Sequence, residues 1–293
     1  MRAAGEGGSR RELARRLDAL DVRLRSLGSL LVAFSGGADS AFLLAAAVRA
    51  LGVDNVAAAT AVSASLPRAE RGPAGEFCAA LGVRHLTPAT HELRRQGYRA
   101  NAGDRCYFCK AELLDVLEPL AASLGLAAIA TGTNAEDAMA GFRPGILAAA
   151  ERGAVTPLRD AGLTKAQIRA ASRAWGLATW DKPAAACLSS RIAYGLEVTP
   201  GRLARVQRAE VALRAALGGY GVQVRDLRVR DLGERGRVEL DQAALAAVSA
   251  DPAVRAAALV AVRRSGFDEA EVDPRGFRSG SMNELLAEPA RYR

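Results

Sequence analysis

An apolar run, Ser29-Leu-Leu-Val-Ala-Phe34, breaks at Ser35-Gly36-Gly37-Ala38-Asp39-Ser40 and passes at once into the helical pattern SAFLLAAAVRALG. A short apolar run without alternation suits a strand covered on both faces. Two adjacent glycines then let the chain turn tightly into a helix. This strand–loop–helix unit sets a rhythm that the chain repeats. Strands are expected at 55–61 and 84–86 and in LAAIATGTN, with helices over 68–81 and 109–124 stopped by Gly82 and Gly125. An earlier helix over 11–27 carries Leu13, Leu17, Leu20 and Leu24 on one stripe, after a Gly- and Ser-rich start expected to fray. Thr164 and Gln167 have the spacing of a capping box and open the helix KAQIRAASRAWG. Alternating short strands and helices imply an α/β fold, a Rossmann-like parallel sheet with helices on both faces.

The rhythm changes near Asp181. WDKPAAACLSSRIAYGLEVTPGRL reads as a functional loop or linker, followed by a helix over 201–217, strands near 222–230 and 236–240, a helix over 252–265 and a strand near 269–273. That pattern, αββαβ, predicts a small C-terminal α+β domain. The expected units are 11–190 and 200–285, with Trp175 and Trp180 packing near their junction. Half of the 293 positions are hydrophobic but only 5% aromatic, so Ala-rich helices should surround a core of Leu, Val and Ile.

The balance of 40 Lys+Arg against 32 Asp+Glu, +8 in all, suits phosphate-bearing ligands, although an Arg-rich chain also gains simple solubility from it. Nucleic acid is not expected as a partner. No apolar run reaches the ~18 residues of a membrane span, and the first residues lack the pattern of a signal peptide, which points to the cytoplasm. In that reducing compartment Cys78, Cys106, Cys109 and Cys187 are thiols, ligands or nucleophiles and not disulfides.

The loop at 35–40 has the chemistry of an anion site. Amides at the helix start and the hydroxyls of Ser35 and Ser40 can face phosphate, while Asp39 would repel it unless Mg²⁺ lies between. It lacks the Gly-Lys-[Ser/Thr] of a Walker A loop and the Gly-x-Gly-x-x-Gly of a dinucleotide fingerprint. A bare Ser-Gly-Gly would fit an ordinary βα turn as well. The full SGGADS resembles the pyrophosphate loop of the ATP pyrophosphatase (PP-loop) superfamily, which implies an adenine-nucleotide alpha-hydrolase-like sheet and ATP gripped by Ser35, Gly36, Gly37, Asp39 and Ser40. The later Thr131-Gly132-Thr133-Asn134-Ala135-Glu136-Asp137 strengthens the likeness. In it, Thr131 and Gly132 would close over nucleotide, Asp137 would share Mg²⁺ with Asp39, and Asn134 would orient an oxygen or simply serve the turn. Lys165 at a helix start opposes the favoured charge there, which makes sense if it faces phosphate.

Cys106 and Cys109 form Arg105-Cys-Tyr-Phe-Cys-Lys110, a spacing that suits a metal, a redox pair or plain packing at a helix start. Cys187, in Pro183-Ala-Ala-Ala-Cys-Leu-Ser-Ser-Arg-Ile192, is a third thiolate in reach of Arg191, which would lower its pKa. Cys78 reads as a small buried hydrophobe. Arg228 and Arg230 alternate on a strand, share a face and would clamp a phosphate; Arg191 is expected at the substrate too, with Glu210 and Glu239 holding the strand's guanidiniums or a substrate hydroxyl.

SGGADS, RCYFCK, TGTNAED, Arg143-Pro-Gly with Glu151-Arg-Gly-Ala-Val-Thr-Pro-Leu158, Gly162-Leu-Thr-Lys165, Trp180-Asp-Lys-Pro-Ala-Ala-Ala-Cys-Leu-Ser-Ser-Arg191, Leu227-Arg-Val-Arg230, Gly236-Arg-Val-Glu239 and Gly276-Phe-Arg-Ser-Gly-Ser-Met-Asn283 occur in that order. Together they resemble the LarE-type ATP-dependent sulfur transferases over residues 15–285. The resemblance implies adenylation of a carboxylate on a pyridinium mononucleotide, release of pyrophosphate, and thiocarboxylate formation at Cys187 during synthesis of a nickel-pincer nucleotide, the cofactor of lactate racemase. It implies one of two sulfur sources. Either Cys187 gives up its own sulfur and becomes dehydroalanine, or Cys106, Cys109 and Cys187 hold a [4Fe–4S] cluster whose open iron carries a replaceable sulfide. The cysteine inventory favours the cluster. A homo-oligomer is also implied. Transfer-RNA thiolation would use similar chemistry but no RNA-binding module is visible; an amide synthetase has no use for RCYFCK; a nucleotide-binding regulator would release no pyrophosphate. Every sulfur-transfer reading requires that the loop at 35–40 and Cys187 face one another.

Overall fold

The protein is seen in a computed structural model that describes residues 2–139, 143–183, 186–278 and 280–286. The motif positions Ala184, Ala185 and Ser279 lie outside the described residues. The first half runs α1 (Arg2–Leu27), β1 (Leu30–Ala33), α2 (Ala38–Leu51), β2 (Val56–Ala59), α3 (Arg71–Ala80), β3 (Arg84–Leu86), α4 (Gln96–Ala100), α5 (Arg105–Ser123), β4 (Ala128–Thr131), α6 (Ala135–Met139), α7 (Pro144–Glu151), α8 (Pro157–Asp160) and α9 (Lys165–Ala174). All four strands are parallel, in the order β3-β2-β1-β4.

The alternation of side chains along a strand explains the two covered faces. Leu30 and Val32 of β1, with Val56 and Ala58 of β2, turn toward α1, α2, α3 and α9. Leu31, Ala33, Ala57 and Ala59 turn the other way, onto Leu117 and Ala121 of α5. No position on β1 or β2 is left for a polar residue, hence the unbroken apolar runs. Alanine takes a larger part in this core than expected: Ala41, Ala46, Ala47 and Ala50 of α2 are buried beside its leucines. Their small side chains let the helix lie close to the sheet.

The second half runs α10 (Pro200–Gly219), β5 (Leu227–Asp231), β6 (Arg235–Leu240), α11 (Gln242–Ala250), α12 (Pro252–Arg264) and β7 (Glu269–Val272). Its sheet, β5-β6-β7, is antiparallel at β5–β6 and parallel at β6–β7. Leucines and valines of α10, β5, β6, α11 and α12 form a separate core. The overall class is therefore mixed α/β with a smaller α+β sheet.

Several expectations shift. α1 begins at Arg2 rather than near 11, α5 begins at Arg105 rather than 109, and α11 adds a helix that the αββαβ pattern lacked. β5 starts at Leu227, so 222–226 is not strand. The capping box at α9 is present as read, with Thr164 and Gln167 bonding reciprocally. Trp175 packs on Phe42. Trp180 does not fill a junction: it is partly exposed, with the Arg173 guanidinium 5.0 Å above its ring. Among the described residues no single helix is long and apolar enough to cross a membrane.

Candidate active site

β1 delivers the chain to Ser35 at the carboxyl edge of the sheet, beside β4, where a crevice opens between neighbouring strand ends. Gly36 takes φ +71°, a conformation that a side chain would strain. Ser40 fastens the loop: its Oγ accepts from Ser35 N at 3.3 Å, lies 3.1 Å from Ser35 Oγ and donates to the Gly37 carbonyl at 3.1 Å. The first amides of α2, with no carbonyl one turn back, face outward from this loop.

The β4–α6 loop closes against it. A Cβ on Gly132 would stand 2.8 Å from Ser40 N, so only glycine permits the approach. Asn134 is fully buried and bonds in two directions. Its Nδ2 donates to Asp39 Oδ2 at 3.1 Å, while its Oδ1 accepts from the amides of Glu136 and Asp137. Lys165 Nζ lies 3.4 Å from Asp137 Oδ1. Burial pushes the Asp39 carboxyl pKa up, against the pull of Asn134 and Lys165.

These pieces line a cavity of about 350 Å³. Ser35, Gly37, Asp39, Ser40, Thr131, Gly132, Asp137 and Lys165 all reach it; Gly36 shapes the loop from outside. Three further cations reach it that the sequence reading left without a role: Lys110 of α5, Arg169 of α9 and Lys182. Each sits in a motif already singled out, RCYFCK, the α9 helix and WDKP, and that was the available signal. Burial lowers the pKa of Lys110, which makes no hydrogen bond or ion pair among the described residues.

A second cavity, about 190 Å³, shares Ser35 and Lys110 with the first. Phe34, Ala59, Leu66, Pro67 and Leu113 make it mostly apolar, and Cys187 forms part of its wall. Cys187 Sγ lies 2.9 Å from Ser189 Oγ. The segment carrying it is sewn to the sheet half of the molecule: Leu188 N donates to Ser65 O, and Arg105 donates to Ser189 O at 3.0 Å.

The first turn of α5 holds Cys106 and Cys109. Burial raises both thiol pKa values, with Cys187 adding to each rise, so the three sulfurs lie within electrostatic reach of one another. Cys106 is nonetheless open to solvent. No three His, Cys, Asp or Glu side chains among the described residues close on a single metal ion. A cubane asks for a looser arrangement, since each thiolate binds a different iron. Cys78 lies apart in the core, its pKa pushed up to about 11 by burial.

Arg191 does something other than expected. Its guanidinium pairs with Glu210 at 2.9 Å and donates to the carbonyls of Ala186 and Cys187, holding the backbone of the segment and not its sulfur. Arg105, buried and bonded to Asn101 and to the Ser189 carbonyl, is a second guanidinium beside the segment. Arg230 is locked to Glu239 at 2.6 Å, both nearly inaccessible, and Ser281 bridges them. Arg228 lies on Phe277; burial, then repulsion by Arg191, lowers its pKa to about 10. Glu239 thus holds Arg230, while Glu210 holds Arg191 and accepts from Val229 N. Arg230 also donates to the Ser190 carbonyl, so the arginine cluster abuts the Cys187 segment.

No protein-family model matches the chain. A protein of Synechocystis described as uncharacterized is 39% identical over 275 residues, 94% of this chain and 99% of that protein. The pyridinium-3,5-bisthiocarboxylic acid mononucleotide synthase of Lactiplantibacillus plantarum is 33% identical over 276 residues, 94% of this chain and 96% of that enzyme. With near-complete coverage on both sides, the chain belongs to the family of that synthase.

Proposed function

We propose that this chain is an ATP-dependent sulfur transferase. It adenylates a carboxylate on a pyridinium mononucleotide and replaces the AMP with sulfur at the Cys187 segment, as a step toward a nickel-pincer nucleotide. The observation that carries this reading is the pair of adjoining cavities: Ser35 and Lys110 belong to both, and Cys187 lines the second. The name of the Lactiplantibacillus relative supports the substrate class.

In this reading the β- and γ-phosphates meet the amides at the start of α2 and the hydroxyls of Ser35 and Ser40. Asp39 and Asp137, which face one cavity, would hold Mg²⁺, and the ion would neutralise polyphosphate charge. The α-phosphate would then stand near Lys110, where the two cavities meet. The substrate carboxylate attacks it, the α–β bridge breaks, and pyrophosphate leaves with the electron pair. Arg228 would take the substrate phosphate, with Arg230, held by Glu239, supporting it from the same strand and Arg191 fixing the segment between them and Cys187. We assign 11–190 to nucleotide chemistry and 200–285 to substrate binding and self-association.

Sulfur attack on the acyl carbon then expels AMP. Cys106, Cys109 and Cys187 match a [4Fe–4S] cluster in number; if bound, it would supply an iron position for exchangeable sulfide. The exposure of Cys187 in the apolar cavity also favours a second reading. There its own sulfur attacks, and cleavage of its Cβ–S bond with loss of the Cα proton leaves a thiocarboxylate and dehydroalanine.

The test is pyrophosphate release and thiocarboxylate formation from Mg·ATP and a carboxylated pyridinium mononucleotide, with Cys187→Ala alongside the native chain. The variant should release pyrophosphate and make no thiocarboxylate. Undiminished thiocarboxylate from the variant, or no pyrophosphate from the native chain, overturns the reading. Anaerobic iron analysis separates the two sulfur sources, together with the mass of the Cys187 peptide after one turnover.

A further inference from the structure

Lys182 stands on the boundary between the two cavities. Its Nζ donates to the Gly36 carbonyl at 3.0 Å and to Glu70 Oε2 at 2.6 Å. An ammonium carries three protons, and these bonds engage two. Lys182 faces the cavity that holds the phosphate loop, whereas Glu70 faces the apolar cavity that holds Cys187. The backbone around Lys182 is clamped to α9 by one residue: Arg169 donates to the carbonyls of Trp180 and Lys182, each at 3.0 Å. The Lys182 side chain thus ties the described part of the Cys187 segment directly to the phosphate loop through the Gly36 carbonyl.

We propose that Lys182 is a further polyphosphate-binding residue restrained by Glu70, and that by exchanging Glu70 for phosphate it couples nucleotide occupancy to the segment carrying Cys187. The proposal rests on the reading of the first cavity as the ATP site. A lysine is a compact point charge on a flexible stem, so it can change partners without rebuilding the loop beneath it. A polyphosphate offers more negative charge than the single carboxylate of Glu70, and the third donor of Lys182 gives it a first foothold. The two residues then have opposite effects on affinity. Lys182 attracts nucleotide; Glu70 competes for Lys182 and repels nucleotide.

The experiment uses the full chain, Mg²⁺ and the β,γ-imido analogue of ATP, with affinity read by calorimetry and backbone hydrogen exchange read in peptides carrying Lys182 and Cys187. Lys182→Met should weaken binding about tenfold or more, Lys182→Arg should recover part of the loss, and Glu70→Gln should tighten binding about threefold. Nucleotide should slow exchange in those peptides in the native chain but not in Lys182→Met at saturation. Thermal melting confirms that each variant is folded. Native affinity in Lys182→Met, or an exchange response that survives the substitution, overturns the proposal while leaving the ATP site intact. So does weaker binding in Glu70→Gln, because the pair would then be only a strut. Failure of the native chain to bind the analogue overturns the ATP reading itself and the proposal with it.

Discussion

The cavity at the 35–40 loop and the arginine cluster are both rich in cations, yet they manage charge differently. Around the cavity, Lys110 has no ion-pair partner among the described residues, Lys165 is a loose 3.4 Å from Asp137, and the geometry is fixed by backbone contacts such as Gly132 on Ser40. In the cluster, Arg191 and Arg230 are held at 2.9 and 2.6 Å by Glu210 and Glu239, deep in the protein. The first region pairs Lys182 with Glu70 at 2.6 Å but leaves Lys110 uncompensated among the described residues, as would suit an anionic ligand. The second balances most of its charge internally, as suits a ligand with one phosphate. Buried ion pairs of this sort fix shape more than they add stability.

The contrast can be broken most sharply at Asp39. Asp39→Asn should reduce pyrophosphate release by about 10³-fold, the scale of losing a central electrostatic group. The same variant should melt higher than the native protein without ligands. Burial raises the Asp39 pKa, so its ionised form costs stability, and that cost is relieved as pH falls through the raised pKa or when the charge is removed. Differential scanning calorimetry at neutral pH reads the gain; an unchanged or lower melting temperature would contradict it.

Glu239→Ala should act the other way, stranding the Arg230 charge in a buried site and costing about 3–5 kcal/mol in denaturant unfolding. Replacing both residues with apolar ones should restore much of that stability while abolishing recognition of the substrate phosphate. Gly132→Ala should cost about 1–3 kcal/mol through overpacking, and the Michaelis constant for ATP should rise because the two phosphate-side loops are forced apart. At the small end is Arg225, which meets Asp181 at 2.9 Å in the open. Arg225→Ala should leave the melting temperature within error, showing that an exposed ion pair between the two halves does little of the holding.

The tight turn at 35–40 and the capping box of α9 were legible in sequence because each depends on neighbours a few residues away, whereas the bond from Asn134 to Asp39 spans 95 residues and followed only from the resemblance. The start of α5 was hidden since Asp104, its cap position, makes no side-chain bond and Cys-Tyr-Phe carries no opening signal. α11 escaped because its alanines leave no polar periodicity, although Asp241 caps it. Lys110, Arg169 and Lys182 could not be assigned for a different reason. Long side chains from three elements meet at one cavity only after the sheet has ordered those elements. Arg191 lies in the segment that its spacing indicated, but spacing in a loop does not say that its guanidinium would bond to the carbonyls of Ala186 and Cys187 and to Glu210.

Tyr98 of α4 is buried in the C-terminal core, and Asn101, at φ 54°, gives its side-chain amide to the carbonyls of Ala193 and Leu196. A short stretch between β3 and α5 is thus dovetailed into the later half of the protein. A version of the chain shortened near residue 195 would not be a free-standing module: it would leave a tyrosine without its hydrophobic socket and an asparagine without the Leu196 acceptor. Protein engineers seeking to graft a new C-terminal lobe onto the parallel-sheet half would have to carry the matching joint across with it.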